Sequence, residues 1–399
     1  MMPPPSSQFV ESVIANLKYW QARAANLSER QFDTLDVDWP NIVRAVQFSL
    51  RLLNAQPLAT EFALQMFNFV EQRGQWQEWA AILEGLVRNC PPNEQRRRGQ
   101  LLYQLGNFRR LERRLPEALE AHRQAEALMA EWGEPKDSAL MKYALSEDYR
   151  YQRSYDEAER WGVAALTGFD QAGLGSSTKT GTTLNTLGLI AYARGDLTTA
   201  EDRLTRAVQL WQAEQAPTEM ARVLNNLGIV LQAAGNTEAA LQTYSQANDL
   251  LAQTNSEFDK VMIELSLGTL YFNLGKLSEA EAAFRRADSP FLRQSGHIYY
   301  RAMTANNLGN ALLAQARIEE AESQLQTSLQ LYRQVGDNVM IANTLGTLGE
   351  AFVKQTRITL ALQAYDEALE RLAPHLDDTW ALSLRQRFIV KRQELLGEN

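Results

Sequence analysis

The chain has 399 residues, a formal net charge of −8 and 45% apolar residues. That apolar content excludes general disorder, and no apolar run reaches the length of a membrane span. A single cysteine, Cys90, excludes an intramolecular disulfide, and the acidic balance argues against non-specific nucleic-acid binding.

The start, MMPPPSS, lacks the basic and apolar stretches of a signal peptide. Residues 1–7 are therefore expected to be a disordered N-terminus, and the protein to be cytoplasmic. Residues 8–30 read as one helix, with Phe9, Val13, Leu17 and Trp20 at helical spacing. Residues 37–54 read as a second, with Trp39, Ile42, Val43, Val46, Leu50 and Leu53 inward. A third is predicted from Pro57 to about Arg73, capped by Gly74. A fourth runs from Trp76 to near Cys90-Pro91-Pro92. Together they form an N-terminal helical region over 8–92. Charge is uneven: residues 1–115 hold 14 Lys/Arg against 11 Asp/Glu, the rest 26 against 37.

From residue 95 to 373 one pattern returns seven times, about every 40 residues. Its anchor is Leu followed by a small residue: Gly106, Ser146, Gly188, Gly228, Gly268, Gly309 and Gly349. Twelve residues on comes Ala118, Ala158, Ala200, Ala240, Ala280, Ala321 or Ala361. Seven further on comes Ala125, Ala165, Ala207, Ala247, Ala287, Ser328 or Ala368. A seven-residue step is two helical turns, so both small residues share one face of a second helix. A mid-helix Gly costs about 1 kcal/mol relative to Ala, so its recurrence implies close approach of another helix. Leu204, Tyr244, Phe284, Leu325 and Tyr365 are the bulky residues set between the alanines, and His122 shares their slot. Gly195, Gly235 and Gly275 end first helices; Asp196, Asn236 and Ser278 lie near second-helix starts; Pro116 suits a first turn. Residues 57–92 read as a degenerate eighth unit, with Phe67 in the Gly slot and Trp79 in the first Ala slot. After Pro374, a capping helix is predicted over Asp377–Leu396 within 374–399, with Leu382, Phe388, Ile389 and Leu395 inward.

These residues resemble tetratricopeptide repeats (TPRs) of the long-helix kind found in kinesin light chains and LGN-type scaffold proteins. Asn225-Asn226-Leu227-Gly228 and Asn306-Asn307-Leu308-Gly309 carry the likeness most closely. The pattern departs from the family where Ser146 replaces Gly, and where Arg113, Arg153, Ala316 and Thr356 replace the inter-helix Gly. The resemblance implies an all-α fold, a right-handed TPR α-solenoid with an N-terminal helical cap and a C-terminal capping helix. Residues 33–90 also resemble the helical region before the TPR sensor of STAND-type signalling ATPases, through Leu35-Asp36, Asn41–Ala45 and Arg73-Gly74-Gln75-Trp76.

By the same resemblance, the slot three before the Gly lines a ligand groove. It holds Tyr103, Tyr143, Asn185, Asn225, Leu265, Asn306 and Gly346. The slot one after the Gly holds Asn107, Glu147, Leu189, Ile229, Thr269, Asn310 and Glu350. An Asn amide both donates and accepts, so Asn185, Asn225, Asn306 and Asn310 suit an extended peptide backbone; the alternative is bonding between neighbouring helices. Arg110 and Arg150, four after the Gly position, would hold an acidic or C-terminal carboxylate bidentately; Glu112, Glu117 and Asp148 are the competing local partners. Tyr192, Leu265, Phe272 and Leu313 offer apolar pockets or core. The segment GLGSSTKTG over 173–181 lacks the order and preceding strand of a phosphate loop and reads as an inter-repeat loop. His122, His297 and His375 are too dispersed for a metal site. Nothing suggests a catalytic constellation or a cofactor. The expected function is a non-enzymatic scaffold or adaptor that binds a protein or peptide partner, without nucleic-acid binding or membrane insertion. The alternative is the ligand-sensing arm of a STAND-type ATPase or transcriptional regulator.

Overall fold

The computed structural model describes residues 6–25, 33–131, 134–252, 254, 256–375 and 378–397. The described chain is all-α and divides into two compact units, Met1–Val223 and Leu224–Asn399.

The first unit opens with α1 (Ser7–Ala25), α2 (Asp33–Asp36), α3 (Trp39–Ser49), a 3-10 turn (Leu53–Ala55), α4 (Gln56–Gln65), α5 (Phe67–Arg73) and α6 (Trp76–Asn89). Three helix pairs follow: α7 (Gln95–Leu111) with α8 (Leu115–Glu131), α9 (Pro135–Tyr151) with α10 (Tyr155–Gln171), and α11 (Thr178–Ala193) with α12 (Leu197–Ala213). The next helix, α13 (Pro217–Ala233), crosses the border. The second unit continues with α14 (Thr237–Leu251), α15 (Glu257–Asn273), α16 (Leu277–Ala287), a short α17 (Pro290–Gln294), α18 (Ile298–Ala314), α19 (Ile318–Val335), α20 (Asn338–Lys354), α21 (Ile358–Leu372) and α22 (Thr379–Leu396). No described helix is long and apolar enough to cross a membrane.

The small residues do steric work. A Cβ on Gly228, Gly268 or Gly349 would lie 2.4–2.7 Å from Tyr244, Phe284 or Tyr365 of the second helix. On Gly188 and Gly309 it would lie 2.7 Å from Leu204 and Leu325. The bulky residue between the two buried alanines thus enters the space the Gly leaves open. Repeat 2 inverts the arrangement. Ser146 stands where the others have Gly, and the bulky slot opposite holds Gly162, whose Cβ would meet Ser146 Oγ at 2.9 Å. The Ser146 hydroxyl donates to the Ala158 carbonyl at 2.7 Å, so its polarity is satisfied inside the pair. Ser328 likewise donates to the Ala302 carbonyl at 2.9 Å.

All seven turns between paired helices place one residue in the left-handed region. Gly195, Gly235 and Gly275 have φ of 81°, 82° and 71°; Arg113, Arg153, Ala316 and Thr356 have 65°, 62°, 59° and 58°. The turn geometry therefore survives where glycine is absent, at a cost of about 1–2 kcal/mol per non-glycine residue.

Several boundaries differ from expectation. The third N-terminal helix breaks at Met66, one residue before Phe67. A bulky side chain in the Gly slot is not enclosed within its own pair; its ring lies 5.3 Å from Phe108 and 6.3 Å from Tyr103. The second helix stops at Ser49, and Leu53, expected inward, is 80% exposed in the turn that follows. Phe9 and Leu382 are also exposed rather than inward. Ser278 lies inside α16, whose N-cap is Lys276. The first helix is described only to Ala25, so 26–30 of that expectation lie outside the described residues, as do 1–5 and Asp377.

Candidate functional site

In the first unit, α7, α8 and α9 converge on one charged network. Arg110 Nη1 donates to Asp148 Oδ1 at 3.0 Å, and Nη2 donates to Asn107 Oδ1. Asn107 Nδ2 donates back to the Tyr103 carbonyl at 3.0 Å. His122, in the bulky slot of α8, sets Nδ1 2.5 Å from Asp148 Oδ2 and Nε2 3.1 Å from the Tyr103 carbonyl. Both ring nitrogens thus face oxygens. His122 and Asp148 are fully buried.

The adjoining pair is Glu147 and Arg150. Arg150 Nε and Nη2 both donate to the Glu147 carboxylate at 3.0 Å, and the guanidinium lies 4.4 Å from the Tyr151 ring centroid. Burial raises the Glu147 pKa, but Arg150, Arg110 and Thr186 overcome it and hold the carboxyl down at about 2. Burial raises the Tyr143 phenol, and Glu147 beside it adds to the shift. Arg110 and Arg150 lose stabilisation to burial, yet their carboxylate neighbours push both above the ordinary arginine value.

These contacts redefine the residues selected from the sequence. Tyr103, Tyr143, Asn107, Arg110 and Arg150 do come together, in the layer between consecutive first helices. The forks of Arg110 and Arg150 are occupied by Asp148, Asn107 and Glu147, so an external carboxylate would have to displace one of them. Asn306 is 3% exposed, and its amide oxygen accepts from Thr344 Oγ1 at 3.2 Å. Its geometry is that of a bond between neighbouring first helices. Asn225 is also buried, whereas Asn185 and Asn310 are half-buried. At Gly346 the same slot is closed by the last helix: a Cβ there would meet Phe388 at 2.1 Å.

What remains at the surface of the first helices in each unit is a different set. Leu189 and Tyr192 on α11 in the first unit are half-buried. So are Ile229 on α13, Phe272 on α15 and Asn310 on α18 in the second, with Thr269 exposed. These are the slots one and four after the Gly. Leu265 and Leu313, the other apolar candidates, are buried core. Sequence reasoning named Asp148 as a competing partner of the arginines but missed His122 as part of the same network. Arg110 and Asp148 are 38 residues apart, close to one repeat, and opposite charges one period apart are the signal that would have found them.

The tetratricopeptide repeat profile matches residues 179–253 and 300–373, and a second profile of that description matches 265–289. Over these residues the chain carries tetratricopeptide repeats. Over 181 residues it is 28% identical to human Protein O-mannosyl-transferase TMTC3, covering 45% of this chain and 19% of that protein. Over 205 residues it is 24% identical to Protein KINESIN LIGHT CHAIN-RELATED 3 of Arabidopsis thaliana, covering 49% and 31%. The chain therefore spans less than a third of either relative. Among solved structures it is similar to a signal transduction ATPase with numerous domains (STAND) with a tetratricopeptide repeat sensor, from Pyrococcus horikoshii. The TM-score is 0.53 at 14% identity, over 91% of this chain and 56% of that one, a likeness of fold.

Proposed function

We propose that the chain is a non-enzymatic, cytoplasmic interaction module that takes a protein or peptide segment along the exposed row of first-helix residues in its second unit. The observation that supports this reading is the row itself. Within the second unit, Ile229 on α13, Phe272 on α15 and Asn310 on α18 stay partly open to water, and Thr269 is exposed. Partly exposed aromatic, aliphatic and amide groups on rigid helices suit a recognition surface. Asn310 serves the partner backbone; Ile229 and Phe272 supply apolar contact. Tyr103, Tyr143, Asn107, Arg110 and Arg150 act one layer deeper, holding the first two repeats in register.

The test compares proteins captured from a native extract by the wild-type chain and by an Ile229→Ala, Phe272→Ala, Asn310→Ala variant. The reading expects specific partners to be lost from the variant. An unchanged set, with unchanged helicity by circular dichroism, would sink it.

A second reading, the sensor arm of a STAND-type ATPase, is favoured by the irregular N-terminal layer over α1–α6, which lacks the small-residue pattern of the repeats. Retention of a nucleotide-binding protein by residues 1–94, and not by the row, would select it.

A further inference from the structure

The geometry points to a second docking surface, for an acidic amphipathic segment of a partner protein, where the C-terminal ends of α3 and α6 meet the start of α1. It is independent of the first-helix row. Helix α3 buries Ile42, Val43, Ala45, Val46 and Ser49, and turns Arg44, Gln47 and Phe48 outward. Phe48 and Phe9 of α1 pack edge to face, 5.9 Å apart, yet remain 40% and 42% exposed. Leu53 follows in the turn, more exposed still. Helix α6 is drawn to the same place: Asn89 Nδ2 donates to the Leu50 carbonyl at 2.9 Å, and Gly85 admits the Leu50 side chain.

Charge then selects the occupant. Arg44, Arg51 and Arg88 are exposed, and among the described residues none has a carboxylate within ion-pairing distance. Other arginines of the first unit are paired. Arg96 pairs with Glu134 and Asp137, Arg109 with Glu84 and Glu112, and Arg114 with Glu117. The nearby acid on α1, Glu11, is engaged by the Ser7 hydroxyl at 3.0 Å. Arg51 and Arg88 also follow or end helices whose C-terminal dipoles hold cations in place. Exposed aromatic and aliphatic groups flanked by uncommitted guanidiniums fit a helix with apolar residues on one face and carboxylates beside them. An extended polyanion or an anionic membrane fits less well, because the chain from residue 116 onward carries 26 Lys/Arg against 37 Asp/Glu.

The test uses the full chain and a fluorescein-labelled Glu/Leu peptide of about five helical turns, patterned as an amphipathic helix. A scrambled peptide of equal composition is the control, and anisotropy is the readout. The patterned peptide is expected to bind at least about tenfold tighter than the scramble. That advantage should fall at least about tenfold in Arg51→Glu, Arg88→Glu, and again in Phe48→Ser. Binding should weaken with salt, and the Ile229→Ala, Phe272→Ala, Asn310→Ala variant should bind as wild type, so the two surfaces fail separately. Should the charge reversal disturb helicity, Arg44→Gln, Arg51→Gln serves instead. Equal binding of both peptides, an unchanged affinity in a folded charge variant, or binding to phosphatidylserine vesicles but not to the peptide would overturn the proposal.

Discussion

The two units solve the same packing problem with different chemistry. In the first, the layer between α7 and α9 is ionic: Arg110, Asp148 and His122 are buried together, with Glu147 and Arg150 beside them. In the second, the corresponding layer is neutral and small, with Asn306 on Thr344 and Gly346 against Phe388. Its inter-repeat ion pairs sit nearer the surface instead. Arg317 reaches back to Glu281 at 2.7 Å, and Arg357 to Glu322 at 2.8 Å, each joined by a glutamine two residues earlier. A buried ion network restricts which neighbour can fit, because each charge must find its partner. A surface latch adds little to stability and tolerates exchange. The contrast teaches that a repeat can keep its period while moving its specificity from the core to the rim.

That contrast can be broken most severely at Asp148. Asp148→Ala leaves Arg110 and His122 buried without their shared acceptor. It should destabilise the first unit by about 3–5 kcal/mol in urea unfolding; a loss below about 1 kcal/mol would show that the network relaxes into water. Acid should reach the same unit next. Glu147 is held at about 2, below its ordinary value of 4.5, because burial is outweighed by Arg150 and Arg110. A depressed carboxylate contributes stability that is present above 4.5 and is lost as pH falls toward about 2. Glu147→Gln should therefore flatten the acid limb of a pH–melting curve and lower stability at neutral pH. An acid limb identical to wild type would contradict the buried pairing.

A third change sharpens the comparison inside the first unit. Gly162→Leu restores the bulky slot of repeat 2 against Ser146 and Leu187. Overpacking should cost about 1–3 kcal/mol, less the gain of about 1 kcal/mol from replacing a helical Gly. Adding Ser146→Gly recreates the arrangement of the other repeats and should recover at least half of any loss. Additivity of the two changes would mean that the slots do not communicate. The smallest effect is expected at the second unit's latch: Arg317→Ala should shift the melting temperature slightly, and the shift should shrink in high salt.

Much of the fold was legible because period and residue size act locally. A Gly sixteen residues before a Tyr, Phe or Leu is a helix-pair instruction readable without coordinates. So were the turns at Arg113, Arg153, Ala316 and Thr356, which occupy the Gly position and adopt its left-handed backbone. The compensating exchange of Ser146 and Gly162 was half-visible, since only Ser146 breaks the pattern noticed first. The α17 insertion was not foreseen, although Ser289-Pro290 carries a cap and a helix-start signal.

The candidate site was less legible, and the physical reason is direction. Slots counted from the Gly locate residues on a helix face, but whether that face meets water or the next helix depends on how successive pairs pack. Asn306 and Arg110 were correctly placed on first helices, yet their partners, Thr344 and Asp148, lie 38 residues away. Sequence alone determined the helical pairs, their period and the small-against-large rule, because these follow from 3.6-residue geometry and side-chain volume. Only tertiary structure decided which asparagines and arginines are consumed between helices and which arginines stay uncommitted, because that depends on distances across repeats.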